Sequence, residues 1–417
     1  MDKLQAPRGT YDVLPDQEEA RHALERTAAR ILSAAGYERI ETPAFEDTDL
    51  FKRTVGESTD IVQKEMYTFE DGGGRSLTLR PEVTAPIARA YLQHGMHKLP
   101  QPVKLWYVSS CFRYERAQAG RYRQFWQIGA EAIGAQDPAV DAELIVLLHR
   151  LLGELGVQGL ALRISSLGRP STRAAYRERL QAYLRANADA LSEEVRGRID
   201  LNPMRAFDAD HPGTRQIMRD APLLLDELEA EDAEHFAAVR ELLDVADVAY
   251  TVDPTLVRGL DYYARTVFEF TSDALGAQSA VGGGGRYDGL IEQIGGPPTP
   301  GCGWAMGIER VLLAAGDRRD ARPQVDLYVA FEGPGQRALA FEIATDARRA
   351  GRYAQLELAG RSIKGQLKAA DRVGARFVVI VREDGTVLKD MDSSAQQIVE
   401  GGADAVVAAV QRGMGSL

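Results

Sequence analysis

The stretch FRYERAQAGRYRQFWQIGAE, residues 112–131, carries most of the information about this chain. It contains Arg113, Arg116, Arg121 and Arg123 among acidic, amide and aromatic side chains. Arginine suits polyanions because its planar fork of donors matches phosphate oxygens two at a time. We therefore expect this stretch to present arginines to a phosphate. A solvated hairpin whose arginines only keep the protein soluble is the alternative.

Apolar segments flank the arginines on both sides. The segment VKLWYVSSC, residues 103–111, is rich in β-branched and aromatic residues, which is typical of a buried strand. FWQIGAEAIG, residues 125–134, predicts a second strand, and Ala119-Gly120 between the two supplies a turn. The sequence thus predicts a long antiparallel hairpin with phosphate-binding side chains near its tip.

Length and composition limit the class of protein. A chain of 417 residues is too long for one ordinary core, so two or three domains are expected. A hydrophobic content of 45% with 27% charged residues is typical of a soluble globular protein. The sequence shows neither a signal core near its start nor a run of 18 apolar residues, which predicts a cytoplasmic protein with no membrane partner. Two cysteines, Cys111 and Cys302, fit a reducing compartment.

Charge is distributed unevenly along the chain. The net charge of −11 argues against a protein that coats nucleic acid indiscriminately. Residues 348–376, however, carry eight arginines and lysines against only Glu357 and Asp371. This basic window fits either a solvated helix face or a contact with nucleic acid. The histidines are scattered, and no metal site is predicted.

Pattern changes along the chain predict its division into domains. Residues 1–169 and 246–316 are rich in strand patterns, whereas residues 170–245 contain long charged helical stretches and predict an insertion. The polar segment 317–324 predicts a linker. Residues 325–417 then alternate strands and helices, which indicates a small α/β domain with a largely parallel sheet.

Local signals place several elements within this frame. A helix is predicted over residues 16–35, a second from Thr84 towards His97, and a third beginning at Asp137-Pro138. Gly72-Gly73-Gly74 predicts the turn of a hairpin.

Three further segments bear chemistry. Residues 256–270, LVRGLDYYARTVFEF, combine arginines, acidic residues and two tyrosines in one strand-and-turn unit. Its arginine either contacts a ligand or forms a buried ion pair with the neighbouring acid. VGGGGRYDGL, residues 281–290, predicts either a ligand cradle or a tightly packed hairpin. GCGWAMGIERVLL, residues 301–313, places Glu309 and Arg310 at the start of a helix, from which an arginine can face a nucleotide. No Walker, dinucleotide, HExxH or GxSxG pattern occurs.

Taken together, these segments closely resemble the histidyl-tRNA synthetase family of class II aminoacyl-tRNA synthetases. FRYER with RYRQF is similar to the family's motif 2, GIER to motif 3, and GYERIETPAFEDTDLF to motif 1, the dimer-forming segment. RPEVTAP, GGRYDGL and LVRGLDYYARTVFEF resemble signatures of the histidine enzymes. The resemblance covers essentially the whole chain.

The resemblance implies an α+β catalytic domain with an antiparallel sheet flanked by helices, a helical insertion and a C-terminal α/β anticodon-binding domain. It implies a homodimer that uses ATP, accompanied by Mg²⁺ and without a permanent metal, to ligate L-histidine to tRNA(His) through a histidyl-adenylate. The insertion would clasp the acceptor arm of the tRNA.

The resemblance also assigns the ATP site. Arg113 and Arg258 would be catalytic and would stabilise the α-phosphate from two sides, with Arg258 standing where related enzymes place a metal. Glu115 would bind adenine, Phe125 and Arg310 would stack on either side of it, and Arg121 would contact the γ-phosphate. The implied ATP-binding residues are Arg113, Glu115, Arg121, Phe125 and Arg310.

Histidine recognition is assigned in the same way. One group of residues would hold the amino acid's ammonium and backbone, while Glu131 and Tyr263 would bind the imidazole nitrogens. Such a match rejects apolar amino acids because they would leave buried polar groups unpaired. The implied histidine-binding residues are Glu82, Thr84, Arg113, Gln127, Glu131, Arg258, Tyr262 and Tyr263.

The chain departs from the family pattern at a few positions. Val83 replaces a usual glycine, Ala117 a common proline, and Trp126 a common histidine. Trp126 adjoins Gln127, so its indole could reshape the pocket wall, and the sequence leaves the consequence of this departure open. A synthetase-like regulatory subunit of ATP phosphoribosyltransferase is the alternative function. Such paralogues typically lack the C-terminal domain and some ATP-binding arginines, which this chain keeps.

Overall fold

The fold is described from a computed structural model. It describes residues 3–56, 59–115, 118, 120–257, 259–276, 279–316 and 325–414. The chain divides into two compact units, Met1–Arg319 and Asp320–Leu417. The linker predicted over residues 317–324 lies outside the described residues.

A mainly antiparallel sheet organises the first unit. Its strands are β1 (Glu38–Arg39), β5 (Val103–Phe112), β6 (Gln124–Ile133), β7 (Leu160–Ser166), β8 (Thr251–Val252), β9 (Ala264–Ser272), β10 (Ala280–Arg286) and β11 (Gly301–Gly307). Their order is β1-β5-β6-β11-β10-β9-β7-β8, in which only the edge pairs β1–β5 and β7–β8 are parallel. The predicted antiparallel sheet is confirmed.

The predicted hairpin is formed by β5 and β6, which pair along their full ten residues. The register runs from Val103 opposite Ile133 to Phe112 opposite Gln124. Beyond the strands, Gln118 and Arg121 form an isolated bridge, and Gly120 adopts a positive φ of 72° that favours glycine. The hairpin therefore holds its tip side chains at a fixed distance from the sheet.

Helices cover both faces of the large sheet. They are α1 (Pro15–Ala34), α2 (Thr48–Val55), α3 (Thr84–Gln93), α4 (Pro138–Glu154), α5 (Pro170–Ala186), α6 (Glu193–Arg198), α7 (Pro212–Met218), α8 (Ala230–Val245), α9 (Leu290–Gln293) and α10 (Ile308–Ala315). On one face α1, α4, α8 and α10 pack against side chains such as Trp106, Ile128 and Phe268. On the other face α3, α5 and α9 pack with Leu105 and Val267.

The helix starts follow the capping signals. The Asp137 carboxylate accepts a hydrogen bond from the amide of Ala139 and caps α4 as predicted. Helix α3 is shorter than expected because Gly95, with a positive φ of 64°, separates it from a short 3₁₀ turn at Met96–Lys98. This glycine breaks the helical hydrogen-bond ladder before His97.

Residues 170–245 are all described and contain helices but no strand. Their helices divide between the two faces of the sheet. Leu180 and Leu184 of α5 belong to the core on one face, whereas Phe236 and Val239 of α8 pack with α4 on the other. The helical segment is therefore anchored in both cores of the first unit.

A small three-stranded sheet lies between α1 and α3 in the chain. Its strands are β2 (Phe45–Asp47), β3 (Tyr67–Glu70) and β4 (Ser76–Leu79), and the predicted glycine turn joins the last two. Their order is β2-β4-β3. Phe45 and Phe69 are 48% and 43% exposed, and their rings meet edge to face at 6.2 Å. This sheet thus presents an aromatic pair to its surroundings.

The second unit contains one five-stranded sheet. Its elements are β12 (Leu327–Phe331), α11 (Arg337–Arg349), β13 (Ala354–Leu356), α12 (Ile363–Arg372), β14 (Phe377–Arg382), β15 (Gly385–Asp390), β16 (Gln396–Val399) and α13 (Ala403–Met414), with strand order β13-β12-β14-β15-β16. Strands β13, β12 and β14 are parallel, but β14, β15 and β16 are antiparallel, so the prediction of a largely parallel sheet is wrong for this half. A tight turn after Arg382 replaces the crossover helix that a parallel strand needs.

In the part of the chain that the structure describes, none of the helices has the length and apolar character needed to cross a membrane.

Candidate active site

Two adjoining cavities lie on one face of the large sheet. The larger has a volume of about 530 Å³ and the smaller of about 200 Å³. They share a wall, since the same residues line both. These shared residues are Arg113, Gln127, Gly259, Gly283 and Ala305.

The cross-strand register builds the floor of both cavities. Gln127, Gly129 and Glu131 alternate along β6 and therefore face the same side. Their partners on β11 are Gly307, Ala305 and Gly303. Small residues thus form the floor on β11, which leaves room above the strand for larger side chains and for a ligand.

The larger cavity gathers the side chains expected to bind ATP. Arg121 donates to the Glu115 carboxylate at 3.2 Å, and Arg113 lies 3.9 Å from the same carboxylate. The Arg113 Nε donates to the Pro81 carbonyl at 2.9 Å, which fixes the guanidinium plane. All five expected residues line this cavity: Arg113, Glu115, Arg121, Phe125 and Arg310.

Arg310 enters the larger cavity from the first turn of α10. Its Nε donates to the Ala280 carbonyl at 2.6 Å, which orients the side chain. Burial, and next the neighbouring Arg121, lower the pKa of its guanidinium. Two cations that repel each other in one cavity favour the binding of an anion there. Phe125 lies under Arg113, with 5.4 Å between the guanidinium carbon and the ring centroid.

Glu131 lies at the inner end of the smaller cavity and is 1% exposed. Its carboxylate accepts hydrogen bonds from Thr84 Oγ1 and Tyr287 Oη, both at 2.7 Å. A Cβ at Gly303 would lie 1.7 Å from Glu131 Oε2, so only glycine fits beneath the carboxylate. Burial raises the pKa of Glu131 to about 8.

Glu82 lines the smaller cavity and also caps α3. Its carboxylate accepts hydrogen bonds from the amides of Thr84 at 2.7 Å and Ala85 at 3.0 Å. Burial raises the pKa of the Glu82 carboxyl. Because each carboxylate oxygen can accept more than one hydrogen bond, this capping leaves acceptor capacity towards the cavity.

The other residues expected to bind histidine divide into two groups. Gln127, Tyr262 and Tyr263 line the smaller cavity. Gln127 Oε1 accepts a hydrogen bond from Cys111 Sγ at 3.3 Å. Arg258, by contrast, lies outside the described residues, between Val257 and Gly259, both of which line the larger cavity.

Several lining residues were missed by the sequence analysis. Tyr287 follows the glycine run, so its position beside a candidate ligand cradle was a usable signal. Arg163 is the one charged residue of β7 and pairs with Asp253 at 2.9 Å. Arg205 reaches the larger cavity from the helical segment without any motif to mark it.

Trp126, a departure from the family pattern whose effect the sequence left open, lines neither cavity. Trp126 points to the opposite face of β6 from Gln127, as alternation along a strand requires. The Arg21 guanidinium carbon lies 4.2 Å from its ring centroid. Val83 does line the smaller cavity, whereas Ala117 lies outside the described residues.

Among the residues that the structure describes, no cluster of three or more His, Cys, Asp or Glu side chains is arranged to hold a metal ion.

Comparison with known proteins identifies the family. The family model described as histidyl-tRNA synthetase matches residues 9–311. The chain belongs to the histidyl-tRNA synthetase family. Curated relatives named histidine–tRNA ligase support the same assignment. That of Desulfitobacterium hafniense is 48% identical over 385 residues, covering 91% of each chain. That of Desulforamulus reducens is 47% identical over 404 residues, covering 94% of this chain and 96% of the relative.

Solved structures extend the comparison to the fold. Apo histidyl-tRNA synthetase from S. aureus superposes with a TM-score of 0.81 at 35% identity, covering 98% of this chain and all of that one. A structure from Bacillus halodurans C, described as an ATP phosphoribosyltransferase regulatory subunit/histidyl-tRNA synthetase, is 23% identical with a TM-score of 0.66. It covers 92% of this chain and 99% of its own. At that identity the second structure supports the fold alone.

The buried carboxyl of Glu131 predicts a pH-dependent stability. Its folded-state pKa is raised from 4.5 to about 8, so the stabilisation is complete below the unfolded-state pKa and is lost as pH rises through about 8. Glu131→Gln imitates the protonated acid and lacks this titration. We expect wild type to lose stability relative to Glu131→Gln between about pH 5 and pH 9 in urea unfolding. Parallel stability curves for the two proteins would contradict this assignment.

Proposed function

We propose that this chain ligates L-histidine to tRNA(His) in two steps, driven by ATP. In the first step a histidine carboxylate oxygen attacks the α-phosphorus, the bond to the bridging oxygen breaks, and pyrophosphate leaves. In the second, a hydroxyl of the terminal adenosine of the tRNA attacks the carbonyl carbon, and AMP leaves. Membership in the family supports the overall reaction, and the residue roles below are our assignments. We assign the reaction to the cytoplasm because it is a step of protein synthesis.

One observation carries the proposal: the cationic cavity and the buried acidic cavity share the wall formed by Arg113 and Gln127. A triphosphate suits the first cavity and a small polar amino acid suits the second. A carboxylate bound at the shared wall would meet the α-phosphate there. Holding both reactants at one wall supplies the proximity that a bimolecular attack needs.

We assign the ATP-binding roles from this geometry and from the family. Arg113 stabilises the charge that develops on the α-phosphate, and Arg258 is assigned to the opposite side. Arg121 binds the γ-phosphate. The adenine stacks between Phe125 and Arg310. Magnesium enters with the ATP phosphates as part of the substrate and supplies charge neutralisation there.

Glu131 is assigned to the imidazole together with Tyr263. The pocket around Glu131 buries its polar atoms, so an apolar amino acid would leave them without partners. Glu82, Thr84, Gln127 and Tyr262 are assigned to the remainder of the amino acid. Specificity for histidine then rests on a penalty for wrong substrates as well as on contacts with the right one.

We propose the roles of the domains from the family resemblance and from the distribution of exposed cations. We assign residues 1–169 and 246–316 to catalysis, residues 170–245 to the acceptor arm, and residues 325–417 to the anticodon. The basic window supports the last assignment, since Lys364, Lys368 and Arg372 are exposed at every fourth position of α12. Spacing of this kind places three cations on one helix face.

The regulatory-subunit alternative is less well supported. It predicts loss of ATP-binding arginines and of the C-terminal domain. Arg113, Arg121 and Arg310 all line the larger cavity, and the second unit is present. The two curated relatives reported above, which match this chain at 47–48% identity over more than nine-tenths of its length, are named histidine–tRNA ligase.

Arg113→Ala should lower histidine-dependent ATP–pyrophosphate exchange by about 10²–10³-fold, because one cation is removed from the developing charge. Arg123→Ala is the matched control from the same hairpin. Arg123 stacks on Tyr114 at 3.9 Å and does not line either cavity. We expect the control to retain most of its exchange rate. Equal losses in the two folded variants would rule out the assignment of Arg113.

Replacing Lys364, Lys368 and Arg372 together by alanine should weaken tRNA binding and leave pyrophosphate exchange unchanged. Because this variant removes three cations that can each pair with a phosphate, the slope of log KM for tRNA against log salt concentration should fall by about 2 to 3. Arg337→Ala on α11, an exposed cation outside the basic window, is the control. An unaltered salt slope in the triple variant would show that this face is merely solvated.

We also propose a homodimer joined through the segment that contains β2 to β4. The half-exposed pair Phe45 and Phe69 supports this proposal, because burying aromatic surface favours association. Phe45→Glu combined with Phe69→Glu should shift the protein from dimer to monomer in sedimentation velocity. Leu201→Glu, at a site 53% exposed in the helical segment, should leave the dimer intact. A double variant that remains dimeric would refute this interface.

A further inference from the structure

Tyr107 carries a buried hydroxyl that neither the family assignment nor the steps above use. The residue is 1% exposed, and its Oη has no hydrogen-bond partner among the described residues. A buried polar atom without a partner costs stability, whereas phenylalanine would fill the same space without that cost. The hydroxyl therefore needs a hydrogen-bond partner that the described residues do not supply.

The position of this hydroxyl is fixed by the register of the sheet. Tyr107 lies opposite Gly129 in the β5–β6 pair. A Cβ at Gly129 would lie 2.2 Å from Tyr107 Oη, so the hydroxyl rests directly above the glycine. On the same face of β6, Gln127 precedes this glycine by two residues and Glu131 follows it by two.

Tyr107 also lines the smaller cavity. Ionisable groups that interact electrostatically with its hydroxyl come from several elements: Glu131 on β6, Cys111 on its own strand, Glu82 before α3 and Tyr263 before β9. Burial keeps the pKa of the Tyr107 hydroxyl far above its ordinary value, so it stays protonated. It can then both donate and accept a hydrogen bond.

We infer that the Tyr107 hydroxyl makes a hydrogen bond to the imidazole ring of bound histidine and is a specificity-determining residue of this site. The inference rests on the proposed function, in which Gln127 holds the backbone end of the amino acid and Glu131 the ring. A hydroxyl above Gly129 lies between these two levels. The part of the ligand that passes there is the ring edge nearest the backbone.

The test is Tyr107→Phe, which removes one oxygen and keeps the ring. We expect its KM for histidine in ATP–pyrophosphate exchange to rise by about tenfold, which corresponds to one hydrogen bond to the substrate. Its KM for ATP should stay within about twofold, and its melting temperature should not fall, because the free protein no longer buries an unpaired polar atom.

Tyr37→Phe is the matched control. Tyr37 is 2% exposed, and its hydroxyl donates to Glu143 at 3.0 Å in the core on the opposite face. The control should lower the melting temperature and leave the KM for histidine unchanged. The two substitutions therefore separate loss of a structural hydrogen bond from loss of a substrate contact.

An unchanged KM for histidine in Tyr107→Phe would overturn the inference, as would a rise in both KM values with a lower melting temperature. Binding of histidinol, which keeps the ring and the amine but lacks the carboxylate, locates the contact. An equal loss of affinity for histidine and histidinol supports the ring, and a loss confined to histidine contradicts it. Failure of the wild type to exchange with histidine would sink the proposed function instead.

Discussion

The antiparallel pairing of β5, β6 and β11 is the constraint on which the rest of the site depends. It places Gln127, Gly129 and Glu131 on one face and sets small residues of β11 beside them. A slip of one residue would turn the Gln127 and Glu131 side chains to the opposite face, where α1 and α4 fill the space. The ten-residue length of the hairpin makes such a slip unfavourable, since every ladder hydrogen bond would have to re-form.

Within that register, glycine decides where polar groups can be buried. Gly303 makes room for the Glu131 carboxylate and Gly129 for the Tyr107 hydroxyl. Burying Glu131 is unfavourable, and its raised pKa records that cost even though Thr84 and Tyr287 both donate to it. A site that accepts this cost in the free protein gains discrimination, because only a ligand with matching donors relieves it.

The sequence predicted the parts of the site that follow from local pattern. The pattern of residues 125–134 predicted the strand, and the resemblance supplied the roles of Gln127 and Glu131. Because these two residues lie four apart on the strand, alternation places them on one face. The pairing of Tyr107 with Gly129 does not follow from alternation, because register between strands depends on the number of residues in the intervening loop. Trp126 adjoins Gln127 in sequence and therefore lies on the opposite face of the strand, away from both cavities. In the second unit β15 and β16 were missed because each is short and mixes polar with apolar residues, so neither shows an apolar strand pattern.

The two cavities differ in charge and in exposure, so each suits a different substrate. The larger one holds several cations near solvent, where a triphosphate can enter with its counterions. The smaller one encloses acids and tyrosines, and the hydrogen bonds from Thr84 and Tyr287 to Glu131 are formed before any ligand arrives. Arg113 belongs to both, and its Nε is fixed to a backbone carbonyl. On the proposed function, Arg113 stabilises the reacting phosphate and is positioned by the loop of residues 80–84. The same loop leads into the histidine pocket. A displacement of this loop therefore affects both histidine binding and the chemical step.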